Sequence, residues 1–254
     1  MAWFLAIILL GWLVGGVVNY LSDFLPVDRR LVLPYCLGCH KPVGMISYLL
    51  KPGGCANCGR SRGMRTYVVI IIYTLLIILM WRYPHPDIGF LLSVLVCIYF
   101  GIVIVVDFEH RLILHPVSMA GAVLGLWLGI LQHGVVATLV GGMAGFLMMY
   151  LLYQGGRLFI RLLVRWRKYT DVDEALGFGD VILAGVIGLM LGWPGIVVGL
   201  VLAIILAGII SLLYLVVLFL SHRYRANVTI AYGPYLVASA FLLLFLKDLI
   251  ASLL

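Results

Sequence analysis

Long apolar runs alternate with short basic or Pro/Gly-rich breaks along the whole chain. A helix needs about 20 apolar residues to cross a bilayer, within a range of about 17 to 25. Eight candidate spans follow, at 2–20, 66–81, 88–106, 113–131, 135–153, 176–192, 195–221 and 228–246. Breaks such as Arg82-Tyr83-Pro84-His85-Pro86-Asp87, Gln132-His133-Gly134 and Gly192-Trp193-Pro194-Gly195 separate several of them. The sixth is unorthodox. Its uninterrupted apolar core, 181–191, is too short to cross, and only Gly177-Phe178-Gly179-Asp180 brings it to spanning length. Small residues recur at helix-packing spacing, as in Gly121/Gly125/Gly129, Gly141/Gly145 and Gly195/Gly199, which lets backbones approach each other in lipid.

Composition agrees with this pattern. Of 254 residues, 65% are hydrophobic and 11% charged, against about a quarter charged in soluble domains. The expected fold class is therefore an all-α integral membrane protein of about eight transmembrane helices. The net charge of +7 is not a nucleic-acid footprint, because the basic residues flank apolar runs. If the 22–65 loop is placed inside, fifteen of the 17 Lys and Arg fall in inner segments, and only Arg82 and Lys247 fall outside. That bias supports the count of eight, with both termini outward and the 22–65 loop cytoplasmic. The first run lacks a basic n-region and a small-residue cleavage site, so it is expected to remain as a helix. The organisation is then a first transmembrane helix (1–21), a cytoplasmic loop (22–65) and a seven-helix membrane domain (66–254).

Most of the ten acids lie in loops: Asp23, Asp28, Asp87, Asp171, Asp173 and Glu174, with Asp248 near an outer end. Glu109, His110 and His115 read as interface residues. Asp107 closes the third span and Asp180 begins the sixth, and topology places both at the cytoplasmic face. An acid inside a span is costly and usually serves a function. Two neighbouring carboxyl groups share a proton, so that one acts as base on a water while the other polarises a carbonyl. This is aspartyl proteolysis, with Asp107 and Asp180 as catalytic pair and Gly177, Phe178 and Gly179 shaping the approach. The alternative from another class is a small proton-coupled transporter; that function favours acids nearer the bilayer midplane.

The loop reads Cys36-Leu-Gly-Cys39, fifteen residues, then Cys55-Ala-Asn-Cys58. This spacing fits a four-thiolate zinc site, closed and hence structural. Gly38 and Gly59 are expected to supply the knuckle turns, and the metal to supply folding energy that a loop with few apolar side chains lacks. Cys97, within the third span, reads as a small buried hydrophobe.

These residues together resemble the bacterial type IV prepilin peptidases, a leader peptidase/N-methyltransferase family of Gly-x-Gly-Asp intramembrane aspartyl proteases. The likeness runs through Gly15, Asn19, Leu25 and Pro26, the cysteine pairs with Ser47-Tyr48-Leu49 between them, Asp107, Gly177 to Asp180 with the tail to Trp193, and Gly233-Pro234. The resemblance implies a multi-pass enzyme of the bacterial cytoplasmic (inner) membrane. Its substrates would be prepilin or pseudopilin precursors, whose short basic leader is cut before an apolar helix. Many members then N-methylate the new terminus with S-adenosylmethionine. The chain departs from the family at Phe24 (usually arginine), Ile70 (commonly glutamate), Ile182 (lysine) and Leu114-His115 (Pro-Asp). These departures bear on methyl transfer more than on proteolysis. Presenilin-like enzymes share the Gly-x-Gly-Asp motif, but the cysteine loop and the inferred orientation set this chain apart from them.

Overall fold

The computed structural model describes residues 2–50, 53–55, 57–59, 61–167, 177–221 and 231–246, and leaves the side chains of 2 and 163–167 undescribed. Asp171, Asp173, Glu174, Lys51, Arg60, Lys168, Arg223, Arg225, Lys247 and Asp248 therefore lie outside the described residues. The described chain is helical: α1 Ala2–Asp28, α2 Met45–Leu50, α3 Met64–Arg82, α4 Phe90–His110, α5 His115–Arg167, α6 Phe178–Leu191, α7 Gly195–Leu220 and α8 Gly233–Phe245. Among these residues the one extended pairing is an isolated bridge between Tyr35 and Pro42. Gly134, at φ +77°, interrupts α5 and divides it into two arms, which restores the boundary expected between the fourth and fifth spans. Five of the helical runs are long and apolar enough to cross a membrane. α6 and α8 are shorter; at about 1.5 Å per residue, the 14 residues of α6 fall well short of the hydrocarbon thickness.

The chain forms two compact units, Met1–Val106 and Asp107–Leu254. In the first, α1 and α3 meet through bare backbone. A Cβ on Gly11 would lie 2.6 Å from Thr74 Cα, and one on Gly15 would lie 2.7 Å from Ile70 Cα. Asn19 ties the pair, donating to the carbonyls of Gly15 and Thr66 at 3.0 and 3.1 Å. Cys97 is buried, as expected of a small hydrophobe.

Two expectations are corrected here. α1 does not stop at Tyr20 but continues through Pro26 to Asp28. Proline near the end of a helix costs one hydrogen bond, and the extra turns bring Tyr20 and Phe24, one turn apart, into a common cluster. The following loop also has an apolar core of its own. Tyr20, Phe24 and Tyr48 are buried together, with Val32, Tyr35, Val43, Met45 and Leu49 packed around them. Phe24, 2% exposed, touches three tyrosine rings at centroid separations of 5.0 to 5.8 Å.

In the second unit five glycines of α5 serve one packing task. Gly125 and Gly129 on the first arm of α5, and Gly141, Gly142 and Gly145 on the second, each face the α6 backbone or Leu189. A Cβ on Gly129 would run into the Leu189 carbonyl oxygen and one on Gly145 into that of Ala184, while one on Gly141 would lie 2.5 Å from that of Gly188. Only helices without side chains at these points can cross so closely. The result is a short α6 held between the two arms of α5, with its N-terminal turn fixed in place.

Candidate active site

Both acids are buried, Asp107 at 5% and Asp180 at 8% exposure. Asp107 sits on the last turn of α4. That helix stops at Arg111, whose φ of +50° and N–H bond to the Asp107 carbonyl (3.0 Å) form a left-handed cap. Asp180 is the third residue of α6. Gly177 caps the helix in extended conformation, its N–H donating to Asp180 Oδ2 at 3.3 Å. The positive end of the helix dipole favours a carboxylate there. The two acids come together: a Cβ on Gly233 would meet both Asp107 Oδ2 and Leu183, one turn beyond Asp180, and the charge of Asp107 reaches Asp180. Asp107 Oδ2 is buried, with the backbone of Gly233 beside it.

The motif residues divide the work around this pair. Gly179 is pressed against Ile113, where a Cβ would stand 2.9 Å from the Ile113 Cβ. Gly177 is open; a Cβ there would meet only Asp180 Oδ2, at 3.5 Å. Phe178 turns away from the acids and packs edge-on against Tyr153 of α5, at 5.9 Å between ring centroids. A further neighbour is one the sequence offered only through its family likeness. Gly233, the first residue of α8, would place a Cβ 2.5 Å from Asp107 Oδ2 and 3.6 Å from Leu183. Its signal was a glycine directly before a proline at the start of an apolar run. Glu109, His110 and His115 are exposed.

In the first unit, the four cysteine sulfurs of Cys36, Cys39, Cys55 and Cys58 lie within 4.8 Å of one another. Cys36 and Cys58 are 3.6 Å apart and Cys39 and Cys55 are 3.8 Å apart, while all four are free of disulfides. A tetrahedron of metal–sulfur bonds of about 2.3 Å has sulfur–sulfur edges of about 3.8 Å, so the cluster fits a zinc ion. The two knuckles repeat each other. His40 and Gly59 donate their N–H to the carbonyls of Cys36 and Cys55, both at 2.8 Å. Gly38 and Asn57 donate to the Cys36 and Cys55 sulfurs, both at 3.4 Å. These backbone donors, Gly38 then Cys39, pull the Cys36 thiol down to about 6, and Asn57 lowers that of Cys55. Gly38 lies in the first knuckle turn, as expected, and the left-handed residues are His40 and Gly59.

The fold and site thus define a polytopic helical membrane protein with a buried pair of aspartates and a four-cysteine knuckle. Residues 90–212 match the type IV leader peptidase family. The chain is 27% identical over 275 residues to the prepilin leader peptidase/N-methyltransferase of Dickeya chrysanthemi, covering 93% of this chain and 90% of that protein. It is 26% identical over 276 residues to the one from Pectobacterium carotovorum subsp. carotovorum, covering 92% and 90%. Against that of Aeromonas salmonicida (strain A449) it is 23% identical over 224 residues, covering 84% and 71%. No solved structure matches the chain at comparable significance. The chain is thus similar to the type IV leader peptidase family over residues 90–212 and to these peptidases over most of its length. The transporter alternative finds no support in these relatives.

Proposed function

We propose that this protein is an aspartyl endopeptidase that removes the leader peptide from type IV prepilin or pseudopilin precursors at the cytoplasmic face of the membrane. The observation that carries the reading is the pairing of Asp107 with Asp180 from two distant segments, both buried and within reach of each other's charge. Such a pair shares one proton and titrates as a unit. One carboxylate takes a proton from water as that water attacks the scissile carbonyl, while the protonated partner donates to the carbonyl oxygen. Gly177, open beside Asp180, gives an extended peptide backbone room to lie against the pair. The cysteine knuckle holds zinc in a structural role, its four thiolates leaving no open position.

The proposal stops at proteolysis. The relatives' names include N-methyltransferase, yet two positions where the family carries charge are committed to packing here. Phe24 fills the aromatic cluster, and Ile70, also buried, takes the backbone of α1 at Gly15. No methyl-transfer step from S-adenosylmethionine is assigned to this chain.

The test is co-expression of the full chain with a pilin-like precursor, followed by mass spectrometry of the product's N-terminus. Cleavage is expected just before the apolar helix, without an added methyl group. Asp107→Asn and Asp180→Asn should each abolish it while membrane insertion persists. Cleavage retained by either variant overturns the dyad.

A further inference from the structure

The face that the four-cysteine loop turns outward is unusual for a small metal knuckle. Val32 packs inward against the aromatic cluster, while Leu31 and Leu33 on either side of it are exposed, Leu33 at 76%. On α2, Tyr48 and Leu49 face the cluster and Ile46 points out at 75%. Leu37, at the first knuckle, is exposed as well. Arg29, Arg30 and Lys41 are exposed in the same segment. Leucine and isoleucine left outward beside basic side chains form the composition of a surface that lies in a lipid headgroup layer. The placement agrees, because both ends of the loop run directly into α1 and α3, each of membrane length. A loop tethered at both ends to spans stays beside the bilayer, which keeps its exposed side chains within reach of the headgroups.

We propose that the outward face of the four-cysteine loop is a membrane-docking surface, with Leu31, Leu33, Leu37 and Ile46 inserted at the headgroup boundary and Arg29, Arg30 and Lys41 held against anionic lipid. The occupant is anionic because the exposed charges in 29–41 are all basic while Asp28 is engaged by the Tyr35 hydroxyl at 3.1 Å. Metal binding then has a second consequence: it fixes the knuckle that carries Leu37 and the strap that carries Leu31 and Leu33. The inference concerns the first unit alone and stands apart from the peptidase reading.

The test places the photocrosslinker p-benzoylphenylalanine at Leu33, at Ile46 or, as the inward control, at Val32 of the full chain. Each protein is reconstituted in nanodiscs of phosphatidylcholine with or without phosphatidylglycerol, and adducts are identified by mass, with zinc content recorded for each. Lipid adducts are expected at Leu33 and Ile46, richer with phosphatidylglycerol, and adducts within the protein at Val32. Arg30→Glu with Lys41→Glu should lower the phosphatidylglycerol-dependent yield by more than about fivefold, since one basic residue beside an anionic surface is worth about that factor. Adducts at Leu33 and Ile46 that form with protein, with an added pilin-like precursor or with nothing overturn the proposal. Lipid adducts indifferent to phosphatidylglycerol overturn the anionic occupant.

Discussion

A carboxylate at the third position of a helix has an ordinary job, accepting the capping N–H, and Asp180 does it for Gly177. Capping acids sit at the surface, however, and this one is buried beside a second buried acid. Capping explains the orientation of Asp180 and leaves the pairing to function. Of the glycines around the acids, Gly233 has the least room. A methyl group there would sit 2.5 Å from Asp107 Oδ2, so the carboxylate or α8 must shift. Displacement of a reacting group by about 1 Å costs roughly a hundredfold in rate. Gly233→Ala is therefore expected to lower the rate of precursor cleavage by about that factor in a timed assay, while the protein still inserts and purifies. Gly177→Ala should keep its fold, because its Cβ meets only Asp180 at van der Waals distance, whereas Gly179→Ala collides with Ile113. Cleavage by Gly179→Ala as fast as by the unaltered protein would refute the close packing. The two aspartates were legible in the sequence because charge bias fixed their depth. Gly233 stood out only through its family likeness, and its contact with Asp107 was not legible, since nothing in a sequence says which residue a bare backbone will touch.

At the scale of elements, a helix of 14 residues positions the site only because α5 grips it. The stripes on α5 read in the sequence as generic small-residue packing, and that reading holds. What the stripes could not reveal was that both arms converge on the same partner, because spacing gives a face and not its neighbour. Gly141 marks the crossing with Gly188, where backbone meets backbone. Gly141→Val overfills that crossing, and overpacking costs about 1 to 3 kcal/mol. The expected result is a fall in the detergent melting temperature of several degrees, at about 2 to 4 °C per kcal/mol for a chain of this size. Gly155→Ala on the same helix, with nothing within 4 Å, serves as the control and should melt at or above the parent temperature. Equal melting of the two variants would contradict the grip. α1 illustrates the opposite limit of pattern reading. Its apolar run was visible, but its continuation to Asp28 depends on Tyr35 and Tyr48 far along the chain.

At the scale of the whole molecule, the chemistry is divided between the two units. The cysteine knuckle belongs to Met1–Val106 and the paired acids to Asp107–Leu254. Reading the sequence as a loop without a core made zinc its sole support, and on that basis chelation would unfold the entire 22–65 stretch. The aromatic cluster changes the expectation. Tyr48 remains tied to Asp23 through its hydroxyl, Arg65 pairs with the same carboxylate, and Arg62 lies over the Tyr48 ring at 3.4 Å. None of these contacts involves a cysteine. Removing the metal should therefore release the knuckles at Cys36–His40 and Cys55–Gly59, whose turns are set by thiolate geometry, and leave α2 and the end of α1 protected. Hydrogen exchange of the full chain in detergent, before and after chelation, separates the cases. Faster exchange confined to the knuckles supports two independent anchors, one metallic and one aromatic. Exchange that rises equally through Met45–Leu50 shows that zinc holds the whole loop, and that the cluster around Phe24 has no stability of its own.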